Sequence, residues 1–188
     1  GGEDNVASGD CATIGGGRLH EATDHSATVG GGSGNTAGAY SATVSGGCWN
    51  IASGLYSTVA GGVWNTASGN SSTVAGGDFN TAAGRYGFAA GRRARSNNIG
   101  CFTWADSNNF DFDNSTDDSF AARCSGGVYF YTNWSATTGA YLAAGSGTWA
   151  NLSDVAANSN FAPVDVKAVL EKLVAIPIST WSYKTCVL

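Results

Sequence analysis

The sequence predicts an all-β chain whose larger part is a parallel β-solenoid of about seven rungs. Three observations carry this. STVAGG occurs at Ser57–Gly62 and again, fifteen residues on, at Ser72–Gly77. The same period runs through units beginning at Gly1, Gly16, Gly31, Gly46, Gly61, Gly76 and Gly91, each close to GG-x-x-N-x-A-x-G-x-x-(A/S)-T-V-(A/G). Finally, a unit of fifteen residues is too short for two helices, and Gly doublets with Thr-Val steps oppose helix.

Within a unit the (A/S)-T-V segment alternates as a short half-buried strand does. The GG and A-x-G segments supply turns that need positive φ. One unit therefore makes one rung, and rungs stack at about 4.8 Å through parallel pairing. Read without a break, the period places Asn5, His20, Asn35, Asn50, Asn65, Asn80 and Arg95 in the fifth column. It places Ile14, Val29, Val44, Val59, Val74, Ala89 and Trp104 in the fourteenth. The Asn column is structural on this reading: amides bond the turns and tolerate left-handed backbone. The fourth column holds Asp4, Leu19, Gly34, Trp49, Trp64, Phe79 and Ala94. Trp49, Trp64 and Phe79 then form a ladder that either packs on a neighbouring chain or binds sugar rings. Tyr40, Tyr56 and Tyr86 are similar but less regular.

Inward residues are mostly Ala with one Val per rung, and a buried Val contributes roughly 1.5–3 kcal/mol. Ordering fifteen residues of backbone costs on the order of 15–30 kcal/mol. So thin a core predicts that further copies of the chain supply buried surface.

After the repeat, Asp111, Asp113, Asp117 and Asp118 crowd one short segment, read as a solvated loop with calcium ligation as the alternative. Ser119–Asn133 reads as two short strands about a Gly-Gly turn, and Ala140–Thr148 as another. Near the C-terminus, Asp165 caps a helix in which Val166, Val169, Leu170 and Leu173 recur at helical spacing, and Pro177 stops it.

A net charge of −5 argues against nucleic-acid binding. The basic cluster Arg92, Arg93 and Arg95, beside Arg85, reads as a solvated edge, with an anion site as the alternative. No run of about 20 apolar residues suggests membrane insertion. The chain begins without Met and shows no signal peptide, so it reads as a fragment or processed chain. Its five cysteines lack metal-ligand spacing and are expected to be free, mostly buried thiols. No metal and no cofactor is expected. His20 and His25 are expected to face solvent.

In register over residues 1–105, the repeat resembles the left-handed β-roll head repeats of trimeric autotransporter adhesins, and phage tail fibres carry similar ones. Rungs in that family are usually one residue shorter. The string VLEKLVAIPISTWSYK (Val169–Lys184), preceded by Leu152–Asp154, resembles the start of the endosialidase-type intramolecular chaperone of tail spikes and fibres. These resemblances imply a homotrimer: a solenoid head over 1–105, a trimeric β cap or neck over 106–152 and a partial chaperone segment over 153–188. They also imply one self-cleavage before Ser153, with Asp154 following it. In the family a Lys five residues beyond that Ser takes its proton, and here the position is Asn158, an amide that cannot act as a base.

The functional expectation is a non-enzymatic homotrimeric fibre segment, extracellular or on a phage-like particle, that meets a cell-surface glycan or protein receptor. The alternatives are a glycan-binding or glycan-degrading tail-spike part and an ice-binding solenoid. The last draws on the regular Thr column, although strand Thr is common for its β propensity alone.

Overall fold

A computed structural model of the chain describes residues 2–152 and 165–174. It divides into two compact units, Gly1–Val128 with Ala143–Gly145 and Tyr129–Leu142 with Ser146–Leu188.

The first unit is a parallel β-solenoid of eight turns, one more than the repeat count predicts. Each turn gives one strand to each of two sheets. The odd sheet holds β1 (Val6–Ala7), β3 (Glu21–Ala22), β5 (Thr36–Ala37), β7 (Ile51–Ala52), β9 (Thr66–Ala67), β11 (Thr81–Ala82), β13 (Ala94–Ser96) and β15 (Phe112–Asn114). The even sheet holds β2 (Thr13–Ile14), β4 (Thr28–Val29), β6 (Thr43–Val44), β8 (Thr58–Val59), β10 (Thr73–Asp78), β12 (Phe88–Arg92), β14 (Phe102–Ala105) and β16 (Phe120–Arg123). The parallel ladders thus run on beyond residue 105, through the acidic segment, to Arg123.

Strands this short need sharp corners, and each turn has two. One corner sits at column four, where Leu19, Trp49, Trp64 and Phe79 adopt positive φ. The other sits at column eleven, at Ser26, Ser41, Tyr56, Ser71 and Tyr86. A left-handed non-glycine residue costs about 1–2 kcal/mol. Here it is offset by a hydrogen bond back to the preceding turn: Trp64 N–H donates to the Cys48 carbonyl at 3.0 Å, and Tyr56 N–H to that of Tyr40 at 2.9 Å. After each corner the side chains run in, out, in. Columns five, seven, twelve and fourteen therefore line the core.

That core is thin. Among the described residues the fully buried apolar side chains are Ala and Val, with Cys101. Between them runs an amide ladder. Asn50 N–H donates to Asn35 Oδ1 at 2.9 Å, while Asn50 Nδ2 donates to the Gly46 and Gly62 carbonyls at 3.0 and 2.8 Å. Asn35, Asn65 and Asn80 repeat the pattern. The Asn column is structural, as expected.

His20 stands in the same column and is buried, contrary to the expectation that it faces solvent. Its Nδ1 accepts the Asn35 N–H at 3.1 Å, taking the place of an Asn oxygen, and its Nε2 has no partner.

The fifteen-residue register does not survive to the end. Asn80 Oδ1 accepts from Ala94 N–H, fourteen residues on, at 2.8 Å. Thr81 pairs with Arg95 and Ala89 with Thr103, so Arg95 points outward and Thr103, not Trp104, fills the Val column. The slip occurs opposite Ala75, where Val74 pairs with Ala89 but Gly76 pairs with Ala90. Gly91, at φ +96°, thus takes the second place of the doublet, equivalent to Gly77 at φ +90°, with Ala90 in the first. Reading Gly91 as the first caused the sequence misalignment. The next turn lengthens: Ala94 pairs with Phe112 and Phe102 with Phe120, eighteen residues apart.

The second unit contains an antiparallel sheet of β17 (Val128–Tyr131), β18 (Gly139–Leu142) and β19 (Trp149–Leu152). The two strands expected about Gly126–Gly127 exist as β16 and β17, but they join different sheets. Helix α1 (Val166–Val174) starts as predicted, with Asp165 Oδ1 accepting the Lys167 N–H at 3.0 Å. Pro177 lies outside the described residues.

Candidate functional site

The expected ladder at the first corner forms. Trp49 and Trp64 stack with ring centroids 5.5 Å apart and planes within 12°. They are 42% and 51% exposed, and Phe79 continues the column at 43%. Below, the Trp49 ring lies over Gly34, where a Cβ would stand 2.6 Å from Cε3; only glycine leaves that space. Above, Arg93 rather than Ala94 takes the next place, its guanidinium 5.1 Å from the Phe79 centroid. Trp49 is thus enclosed between Gly34 and Trp64 and presents its ring edge to solvent, while Trp64 has one face on Trp49. Sugar stacking uses a ring face, so at Trp49 this geometry favours contact with side chains at the ring edge.

A second exposed aromatic row follows the other corner. His25 stacks on Tyr40 at 5.0 Å, Tyr56 meets Tyr40 edge-on at 5.5 Å, and Arg85 lies 4.6 Å over Tyr86. The third row escaped the sequence reading. Phe88, Phe102 and Phe120 continue the outward Thr column of the even sheet, stacked at 4.6 and 4.9 Å. The register slip had put Phe102 in an inward column. Aligning on the phenylalanines, rather than on Gly91, would have revealed the stack.

The basic and acidic clusters cancel each other. Asp111 bridges Arg93 and Arg95, and Arg95 also approaches Asp113 at 3.9 Å. Asp117 lies instead at the second corner, accepting the Ile99 N–H at 3.2 Å. The four acids are thus divided between two sides of the turn, and among the described residues no group of three or more His, Cys, Asp or Glu is placed to hold a metal.

A tighter pair closes the eighth turn. Arg123 Nε donates to Asp106 at 2.8 Å, and its other nitrogens donate to the Phe110 and Asn108 carbonyls. The Ser125 backbone N–H, at 2.8 Å, is the main cause that holds the Asp106 carboxyl well below the usual carboxylate range, with the Ser125 hydroxyl, Arg123 and Asn108 adding to it.

Cys11, Cys48, Cys101 and Cys124 are free, but only Cys101 is buried, which corrects the expectation of mostly buried thiols. Ser153, Asp154 and Asn158 lie outside the described residues, as does Cys186.

In the antiparallel sheet Tyr129 stacks on Tyr141 at 5.7 Å, and Trp149 packs on Phe130 at 5.6 Å.

No model of a known protein family matches this sequence, and no curated protein matches it.

Proposed function

We propose that this chain is a non-enzymatic fibre segment that assembles as a homotrimer, outside a cell or on a phage-like particle, and holds a binding surface away from its attachment point. The observation that carries this reading is the repetition of whole side-chain columns along eight turns of one solenoid. A receptor site built on such columns recurs along a stiff rod, and three copies gain avidity from simultaneous contact. The Ala-Val core supports association, because copies packed side by side add the buried area that one chain lacks. The chaperone-like string at Val169–Lys184 supports three as the number. The receptor class is a cell-surface glycan or protein, met by the exposed edges of Trp49 and Trp64 and by Phe79.

Light scattering on the native particle tests this. The expected result is three times the 19.0 kDa of one chain, or of a chain shortened by cleavage before Ser153. A stable monomer overturns it. Intact-mass spectrometry on the same sample reads the cleavage: an uncut chain is expected, given Asn158.

A further inference from the structure

We infer that the outward face of the even sheet is where a second copy of this chain packs, with the faces of the copies turned to a common axis. The inference rests on the homotrimeric reading above and names the surface that it uses.

Charge is sorted around the rung. Columns twelve to fifteen and column one hold only Gly, Ala, Ser, Cys, Thr, Val, Ile, Phe and Trp in every turn. Ionisable side chains stand elsewhere, among them Glu21, Arg95 and Asp113 on the outward row of the odd sheet. In a parallel homomer about an axis, each residue meets its own counterpart at the same height. Any charge on the shared face would confront a like charge, at a cost that desolvation raises. Over those columns the even face has none to confront; the charged residues of its longer strands, Asp78, Arg92 and Arg123, stand at the strand ends, in columns two and three.

Its side chains also suit that symmetry. A Thr row from Thr13 to Thr73 gives way to Phe88, Phe102 and Phe120. Among the described residues, none of the Thr28, Thr43, Thr58 or Thr73 hydroxyls bonds to another group of its own chain. A hydroxyl both donates and accepts, so equivalent Thr from several copies satisfy one another in a ring. At the far end Phe120 is 71% exposed, and Trp104 beside it 39%. Gathering these rings at one axis removes them from water. Eight rungs at about 4.8 Å by four residues at about 3.3 Å make a face on the order of 500 Å², with Phe120 and Trp104 as its exposed apolar end.

The test compares Thr58→Arg on this face with Thr66→Arg on the odd sheet. Native mass is read by light scattering and folding by circular dichroism. The expected result is loss of the three-chain mass in T58R and its retention in T66R. A T58R protein that keeps the three-chain mass overturns this face while leaving the homotrimer standing. A monomeric wild type overturns both, and freezing-point hysteresis in that monomer would assign the Thr row to ice instead. If T58R fails to fold, oxidative cross-linking replaces it: the Thr58→Cys variant is expected to form linked pairs of chains beyond the wild-type background and Thr66→Cys none. The opposite pattern again overturns the face.

Discussion

The turns that carry Asn35, Asn50, Asn65 and Asn80 and the two turns that follow them share the same pair of sheets, but their corners are held differently. In the earlier turns a buried amide ties each corner from inside. Asn65 Nδ2 bonds the Gly61 carbonyl of its own turn and the Gly77 carbonyl of the next, at 3.0 and 2.7 Å. An amide that reaches four residues back and twelve forward fixes the length of the turn. Asn80 is the last, and it reaches Gly91, eleven residues on, where the length first changes. Ala94 then offers no amide, and the following turn runs to eighteen residues. Those turns are held from outside as well, by Arg93 and Arg95 on Asp111, by Arg123 on Asp106, and by the Phe88–Phe102–Phe120 stack. Inside, Ser96 and Asn114 bond the Cys101 and Phe102 carbonyls rather than the corner. Internal amides impose uniformity; external pairs tolerate insertions.

Changes in the amide-held turns should cost most. Gly62 has φ +89°, and a Cβ there would run into the Gly77 carbonyl oxygen of the next turn. Gly62→Ala is therefore expected to lose more than about 3 kcal/mol in chemical denaturation. Gly46→Ala is the control: its Cβ meets nothing closer than the Gly31 carbonyl oxygen at 3.9 Å, so a change within about 0.5 kcal/mol is expected. Equal losses would break the comparison.

Next comes the amide itself. Asn65→Ala leaves the buried Asn80 N–H without its acceptor and the Gly61 carbonyl without its donor. A loss of about 3 kcal/mol follows, read by the same denaturation.

The externally held turns should answer to acid instead. The folded Asp106 carboxyl titrates below its unfolded value of about 3.9. Its contribution is therefore present above that pH and is lost as pH falls toward the folded value. Amide exchange, corrected for intrinsic rate, should show residues 102–125 losing protection as pH falls from about 4 toward 2 while residues 35–80 keep theirs. Asp106→Asn should remove most of that difference.

The smallest effect has the opposite sign. The Ser72 hydroxyl is buried without a partner in a column that elsewhere holds Ala27 and Ala42. Ser72→Ala is expected to raise stability by about 1 kcal/mol.

By itself the sequence determined the period, the inward Ala and Val columns, the bonding role of Asn35 to Asn80 and the stacking of Trp49 on Trp64. Each of these depends only on residues one turn apart, and in a solenoid with constant turn length one turn apart is a fixed distance along the chain. The tertiary structure alone decided the rest. The slip at Ala75, the burial of Thr103, the Arg–Asp pairing and the phenylalanine stack all depend on which residues meet across turns of unequal length, whereas His20 is buried because it stands in the inward fifth column of the regular turns. Trp49 and Trp64 were legible as a pair, but the covering of their faces was not, because the repeat specifies where a residue stands and packing against Gly34 and the next ring specifies how it lies.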